Sequence, residues 1–156
     1  PLIDSLVIDL VLNKYLENSY DFVANTSPPK EFTYPEGMDV EVFSFKSLEN
    51  AEKITKKPSD REHVTHFFWN SPKLFSSFRC ELDKDLSKYR ITVDYKEDFI
   101  VVSNIIKSLH KKNPFFTMQD IINFLDNNPN IKSINSSIKP NIGWEASFQK
   151  NKNMGF

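Results

Sequence analysis

The chain has 156 residues, with 20 Lys and Arg against 21 Asp and Glu, so its formal net charge is −1. That balance excludes a generic nucleic-acid binder, which carries a strong basic excess, and 39% hydrophobic residues, 14 of them Phe, exclude a disordered chain. The single cysteine, Cys80, excludes an internal disulfide framework and a multi-cysteine zinc site, and the three glycines, Gly37, Gly143 and Gly155, exclude a P-loop or dinucleotide cradle.

The length fits one domain. No apolar run approaches the roughly 18–20 residues that span a bilayer. No basic n-region opens the chain, so a cytoplasmic protein without membrane or nucleic-acid partners is expected. In chain order, residues 4–17 place Leu6, Val7, Leu10, Val11 and Leu12 near helical spacing, with Asp4 or Ser5 as the cap. Tyr20–Thr26 is rich in β-formers and reads as a strand. Ser27–Asp39 carries three prolines and Gly37 and reads as a loop. Val40–Phe45 alternates and reads as a strand, followed by helices over Ser47–Lys57 and Ser59–Trp69. Phe78–Leu82 and Tyr89–Asp94 read as strands. Lys96–Lys111 reads as a helix with Phe99, Val102, Ile106 and Leu109 as its stripe, and Thr117 caps a further helix through Leu125. Asn128–Phe156 is polar and irregular. Strands alternating with helices predict an α/β fold.

Four segments carry side chains suited to chemistry. In Tyr34–Glu41, Gly37 suits a turn, and Asp39 and Glu41 at i, i+2 on a strand share a side, so two carboxylates can meet one ligand or cation. In Ser59–Thr65, Ser59 with Glu62 matches a capping box, which leaves Arg61, His63 and His66 unexplained; a helix start with Arg61 and two imidazoles suits an anion. The histidine pair has no third ligand nearby in sequence, which argues against a His-based metal site. In Tyr89–Asp94 an apolar strand ends in a carboxylate. Asp94 can hold Mg²⁺ there, since ligands of α/β sheets lie beyond the strands' carboxyl ends, or it can cap the next helix. Ile134–Asn141 contains Asn135-Ser-Ser, a glycosylation pattern without any secretion signal, and the segment reads as a surface tail.

Several of these strings occur together and in order: Pro1-Leu-Ile-Asp4, Ala24-Asn-Thr26, Pro35-Glu-Gly-Met-Asp-Val-Glu-Val-Phe43, Arg61-Glu-His-Val-Thr65, Arg90-Ile-Thr-Val-Asp94, Glu97-Asp-Phe99, Asn113-Pro-Phe-Phe-Thr and Ile134-Asn-Ser. Over about residues 1–142 the chain resembles the cytidylyltransferase family of the spore coat polysaccharide biosynthesis F type, which is similar to CMP-sialic acid and CMP-Kdo synthetases. The resemblance implies a partial nucleotide-diphospho-sugar transferase-like (Rossmann-like) three-layer α/β fold with a mostly parallel sheet. It implies a reaction in which a sugar hydroxyl attacks the α-phosphate of CTP, giving CMP-sugar and pyrophosphate with Mg²⁺ as cofactor. Asp94 matches the family's metal aspartate. Asp39, Glu41, Arg61, Glu62 and His63 match the sugar side of the pocket, with Arg61 in a catalytic role, and Asn25 and Thr26 line the same cleft. Asp98 only caps or supports the helix. The related synthetases suggest a homodimer.

The chain also departs from that pattern. In the family, Pro-Leu-Ile-Asp follows a Gly-Asp pair that gives the other metal ligand, whereas this sequence begins at Pro1. Residues 1–142 are therefore expected to be the sugar-side part of a longer cytidylyltransferase domain, with 143–156 an irregular tail. Tyr95-Lys96 stands where relatives have a proline near the turn. The alternative from another class is a non-catalytic interaction module of the same fold; a sugar transferase of similar fold is a third.

Overall fold

A computed structural model describes residues 1–26 and 31–139. The expected tail over 143–156 and part of the Ser27–Asp39 loop lie outside the described residues. The elements are α1 (Ser5–Leu16), β1 (Phe22–Ala24), β2 (Glu41–Phe43), α2 (Phe45–Ile54), α3 (Pro58–Glu62), α4 (His66–Asn70), β3 (Ser77–Arg79), α5 (Lys96–Leu109), α6 (Met118–Asn127) and α7 (Pro129–Lys132). No helix among the described residues is long and apolar enough to cross a membrane.

The three strands form one sheet in the order β2-β1-β3. The pairing of β1 with β3 is parallel and that with β2 is antiparallel, with Val23 opposite Val42 and Phe78. The sheet of the described residues is thus mixed and not mostly parallel. The long turn-rich segment between β1 and β2 lets the chain reverse, which no helical crossover does here.

Strand alternation sets the layers. Val23 points to one face and joins Val11 and Cys80 beneath α1. Phe22 and Ala24 point to the other face and join Ala51, Phe68 and Phe75 from α2, α4 and the loop before β3. Phe22 stacks on Phe68 at 5.0 Å between ring centroids, and Phe68 meets Phe75 edge-on at 4.9 Å; such pairs add about 0.5–1.5 kcal/mol each beyond their burial. A third apolar group joins Tyr34, Met38 and Ile91 to Val101, Val102 and Ile105 of α5 and Ile121, Ile122 and Leu125 of α6.

Local capping explains where most helices begin. Asp4 caps α1 by accepting from the Leu6 N–H at 2.9 Å. Its other oxygen accepts from the Met118 N–H at 2.7 Å, so one carboxylate fastens the starts of α1 and α6 together. Thr117 and Asp120 form a reciprocal capping box on α6.

Five expectations change. Tyr89–Asp94 is not a strand; it makes one parallel bridge, Arg90 with Glu36, because the turn at Gly37 commits the Met38 N–H to the Pro35 carbonyl and leads the neighbouring chain away. Ser59–Trp69 is two short helices broken at His63–Thr65, so that Phe68 can tuck under the sheet. Ser59 is not the cap: α3 starts at Pro58, whose fixed φ suits the first helical position, and Ser59 is buried inside the first turn. On α5 the buried row is Asp98, Val101, Val102 and Ile105, while Phe99 is 64% exposed. The row is shifted because a charged residue takes its first place. On α1 only Val7 and Val11 are buried, and Leu6, Leu10 and Leu12 face outward.

Candidate functional site

The turn at Pro35–Asp39 and the segment Tyr89–Asp94 are far apart in sequence and form one unit. Glu36 N–H donates to the Tyr89 carbonyl at 2.9 Å, and Ile91 N–H donates to the Glu36 carbonyl at 2.8 Å. Gly37 lies between them at φ 97°, and a Cβ there would come within 2.5 Å of the Thr92 backbone nitrogen. Only glycine permits both that backbone and that approach.

This clamp sets Glu36 beside Arg90, whose side chain is 9% exposed. Arg90 Nη1 donates to Glu36 Oε1 at 2.6 Å, Nη2 donates to Asp94 Oδ2 at 2.9 Å, and Nε and Nη2 donate to the two oxygens of Asp98 at 2.9 and 2.8 Å. Asp98 is fully buried. It also accepts from the N–H groups of Asp94 and Tyr95 at 3.1 Å each, and from Asn135 Nδ2 at 2.8 Å. Asn135 is itself buried and donates to the Arg90 carbonyl. Burial alone would push the Asp98 carboxyl up, but the bonds from Arg90, Asn135 and two backbone amides hold it down at about 2. Burial raises Glu36; Arg90 opposes that, and the nearby charges of Asp94 and Asp39 add to it. Glu36 therefore feels the charges of both Asp94 and Asp39.

Asp94 is the outer member of this network. Its side chain is 57% exposed, and Arg90 takes one of its oxygens. It is not the cap of α5: Tyr95 occupies that position, and Asp98 at the third helical position accepts from the Tyr95 N–H. Asp39 precedes β2 and accepts from the Gly37 N–H at 3.0 Å, while Glu41 is the first, exposed residue of the strand. The two do not share a strand face.

Asn25 ends β1 and is completely buried. Its Nδ2 donates to the Met38 carbonyl at 2.9 Å, and its Oδ1 accepts from the Val40 N–H at 2.8 Å. It ties the carboxyl end of β1 to the acidic turn; Thr26 follows it, also buried.

Arg61, Glu62 and His63 fall in a second place. Arg61 is exposed and donates to Glu52 of α2 at 2.6 Å. It lines a pocket of about 370 Å³ with Phe45, Leu48, Ala51, Val64 and Phe67. Glu62 is exposed and His63 half-buried. Burial lowers the pKa of the neighbouring His66, with Asp60 opposing and His63 and Lys57 reinforcing. Among the described residues no hydrogen bond or ion pair joins Arg61 to Asp94.

The first cluster offers hard oxygen donors in the form Mg²⁺ accepts. No group of three or more His, Cys, Asp or Glu among the described residues is arranged to hold a metal by protein ligands alone. Glu36 and Arg90 were not singled out by their own sequence neighbourhoods, and Asn135 was read only as part of a glycosylation pattern in a surface tail. The signal that could have found all three is their place inside the family-like strings.

No family model matches the chain. It is 35% identical over 141 residues to an uncharacterized protein of Methanocaldococcus jannaschii, an alignment covering 89% of this chain and 55% of that protein. Among solved structures it is similar to a cytidylyltransferase from Leptospira borgpetersenii serovar Hardjo-bovis, with 31% identity, a TM-score of 0.78, and coverage of 89% of this chain and 57% of that one. The chain thus spans little more than half the length of the proteins it matches, and over that span it has the nucleotidyltransferase-like fold of the Leptospira protein.

Proposed function

We propose that this chain is the sugar-side part of a cytidylyltransferase that activates a sugar with CTP, in a pathway to cell-surface or coat polysaccharide like that of the spore coat F type. The observation that carries the reading is the Asp94 carboxylate. It is exposed to solvent and joined through Arg90 to Glu36 and the buried Asp98, in a fold shared with a cytidylyltransferase.

In the proposed reaction a sugar hydroxyl oxygen forms a bond to the α-phosphorus of CTP. The bond from that phosphorus to the bridging oxygen breaks, its electron pair leaves with pyrophosphate, and the hydroxyl proton passes to solvent. Such transfers need positioning and charge neutralisation more than covalent help. Asp94 is the residue of this chain that would hold Mg²⁺, and a bound Mg²⁺ supplies charge neutralisation at the phosphate oxygens. Asp39 and Glu41 would accept hydrogen bonds from sugar hydroxyls. Asn25, with Thr26, fixes the carboxyl end of β1 against the acidic turn. Arg61 would engage the acidic or modified group of the sugar from the α2–α3 pocket, after exchanging its exposed bond to Glu52, which is worth little to stability, and Glu62 and His63, next in sequence, would meet the sugar's hydroxyls.

The test is pyrophosphate release by the protein that carries this chain, with CTP, Mg²⁺ and a panel of acidic and neutral sugars. Release that requires CTP and one class of sugar supports the reading. No release with any sugar, together with no CTP binding, contradicts it. A non-catalytic module is the second reading; CTP binding without turnover would select it.

A further inference from the structure

The carboxylate assigned above to the cation does not stand alone. It is the tip of a buried relay that runs from Asn135 through Asp98 and Arg90 to Asp94. We infer that Arg90 is a positioning residue for Asp94: its guanidinium, fixed by the buried Asp98, takes one oxygen of Asp94 and leaves the other directed to a divalent cation. This inference rests on the assignment of Asp94 to the cation.

Three observations carry it. The first is the geometry of the fork. Arg90 spends Nε on Asp98, Nη1 on Glu36, and Nη2 on both Asp98 and Asp94, all between 2.6 and 2.9 Å. A planar guanidinium can face three carboxylates at fixed angles; an ammonium cannot. The second is that the backbone of Asp94 is held by the same anchor, since Asp98 accepts from its N–H. Side chain and main chain of Asp94 are thus aligned by one buried carboxylate. The third is charge. Asp98 neutralises Arg90 from behind, so Asp94 is oriented by a donor whose positive charge is already matched. Glu36 takes Nη1 of the same guanidinium and compensates it further. A cation therefore meets an oriented oxygen without meeting an uncompensated guanidinium. Ligating carboxylates are commonly held in this way by outer partners, whose loss costs roughly 10–100-fold in metal affinity.

The experiment uses Mn²⁺ as the probe and, as the reporter, the ¹⁵N-labelled protein that carries this chain. Paramagnetic broadening of backbone amides is followed through a Mn²⁺ titration, with thermal melts run in parallel. The expected result is broadening centred on Thr92–Tyr95, abolished by Asp94→Asn and displaced by roughly 10–100-fold to higher Mn²⁺ in a folded Arg90→Lys variant. A role in stability alone would lower the melt of Arg90→Lys without moving the titration. If Arg90→Lys titrates like the unaltered chain while Asp94→Asn does not bind, the positioning role is wrong and the cation assignment survives. If the unaltered chain shows no broadening at Asp94, or Asp94→Asn leaves it in place, the assignment itself is wrong and the inference falls with it. Should Arg90→Lys fail to fold, Asn135→Ala decides. It removes a bond to Asp98 without touching Asp94, and it is expected to weaken Mn²⁺ in the same direction by less; unchanged affinity overturns the role.

Discussion

Replacing Asp98 by Asn keeps the size of the side chain and removes its charge, and the structure fixes what that does. Asp98 is fully buried and accepts five hydrogen bonds, from Arg90 Nε and Nη2, the N–H groups of Asp94 and Tyr95, and Asn135 Nδ2. Both oxygens face donors, so an amide NH₂ placed at either position meets an N–H group head-on. Arg90, nine-tenths buried, is left with Glu36 and the exposed Asp94 as its partners. Breaking a buried pair from one side costs about 3–5 kcal/mol. Domains of this kind are stable by about 5–15 kcal/mol in total, so the loss is a large fraction of the whole. Urea unfolding followed by circular dichroism should show it as a shifted midpoint at unchanged slope. The same group sets an acid limit. Its carboxyl lies at about 2 in the folded chain against an ordinary 3.8. Its contribution of about 2 kcal/mol is therefore complete above pH 4 and is lost as pH falls toward 2. Asp98→Asn should flatten stability in that window. A loss below about 1 kcal/mol, the range of an exposed pair, together with an unchanged acid profile, would refute the view that the site is built on a buried anchor.

Two other changes follow from packing. Gly37→Ala forces φ 97° on a residue with a Cβ and drives that atom against the Thr92 backbone; a loss of about 2 kcal/mol or more is expected in the same unfolding assay, and a neutral result would mean that the turn does not clamp the 89–92 segment. Val11→Ala, at a fully buried position on the inner face of α1, should cost about 2 kcal/mol, whereas Leu16→Ala, at 68% exposure, should change stability by less than about 0.5 kcal/mol; equal losses would show that the buried row of α1 is misplaced.

What could be read from the sequence was mostly local. The Asp4 and Thr117 caps depend on residues two or three positions away, so spacing alone finds them. The central strand of the sheet announced itself by its β-forming residues and the one after the acidic turn by its alternation. Periodicity failed on α5 because the inward row opens with Asp98, an ion inside an apolar stripe. The rule that hydrophobic residues mark the buried face then selects the wrong turn of the helix. The Tyr89–Asp94 segment has strand-like residues but a partner that can pair at only one position. Its real bonds are to Glu36, 54 residues earlier, and to Asn135, 45 residues later. No local pattern carries such distances. The same cause explains why Arg90 and Asn135 escaped notice while Asp94, at the end of an apolar run, did not. Asn135 looked like part of a surface tail, yet it is buried against the anchor. Arg61 stood out as an anion-binding residue, and it lies by a pocket of its own on the α2–α3 side.

The proposal turns on Asp94, and the decisive measurement is made on the longer protein that carries this chain. Its CTP-dependent release of pyrophosphate is compared with that of its Asp94→Asn variant at saturating Mg²⁺, with unfolding curves for both. Asp94 is 57% exposed, and without it the buried Arg90 keeps its bonds to Asp98 and Glu36, so the variant should unfold within about 1 kcal/mol of the original. Its turnover should fall at least about 100-fold, the scale on which a misplaced phosphoryl group loses rate. A folded Asp94→Asn variant that releases pyrophosphate at the original rate would contradict the account.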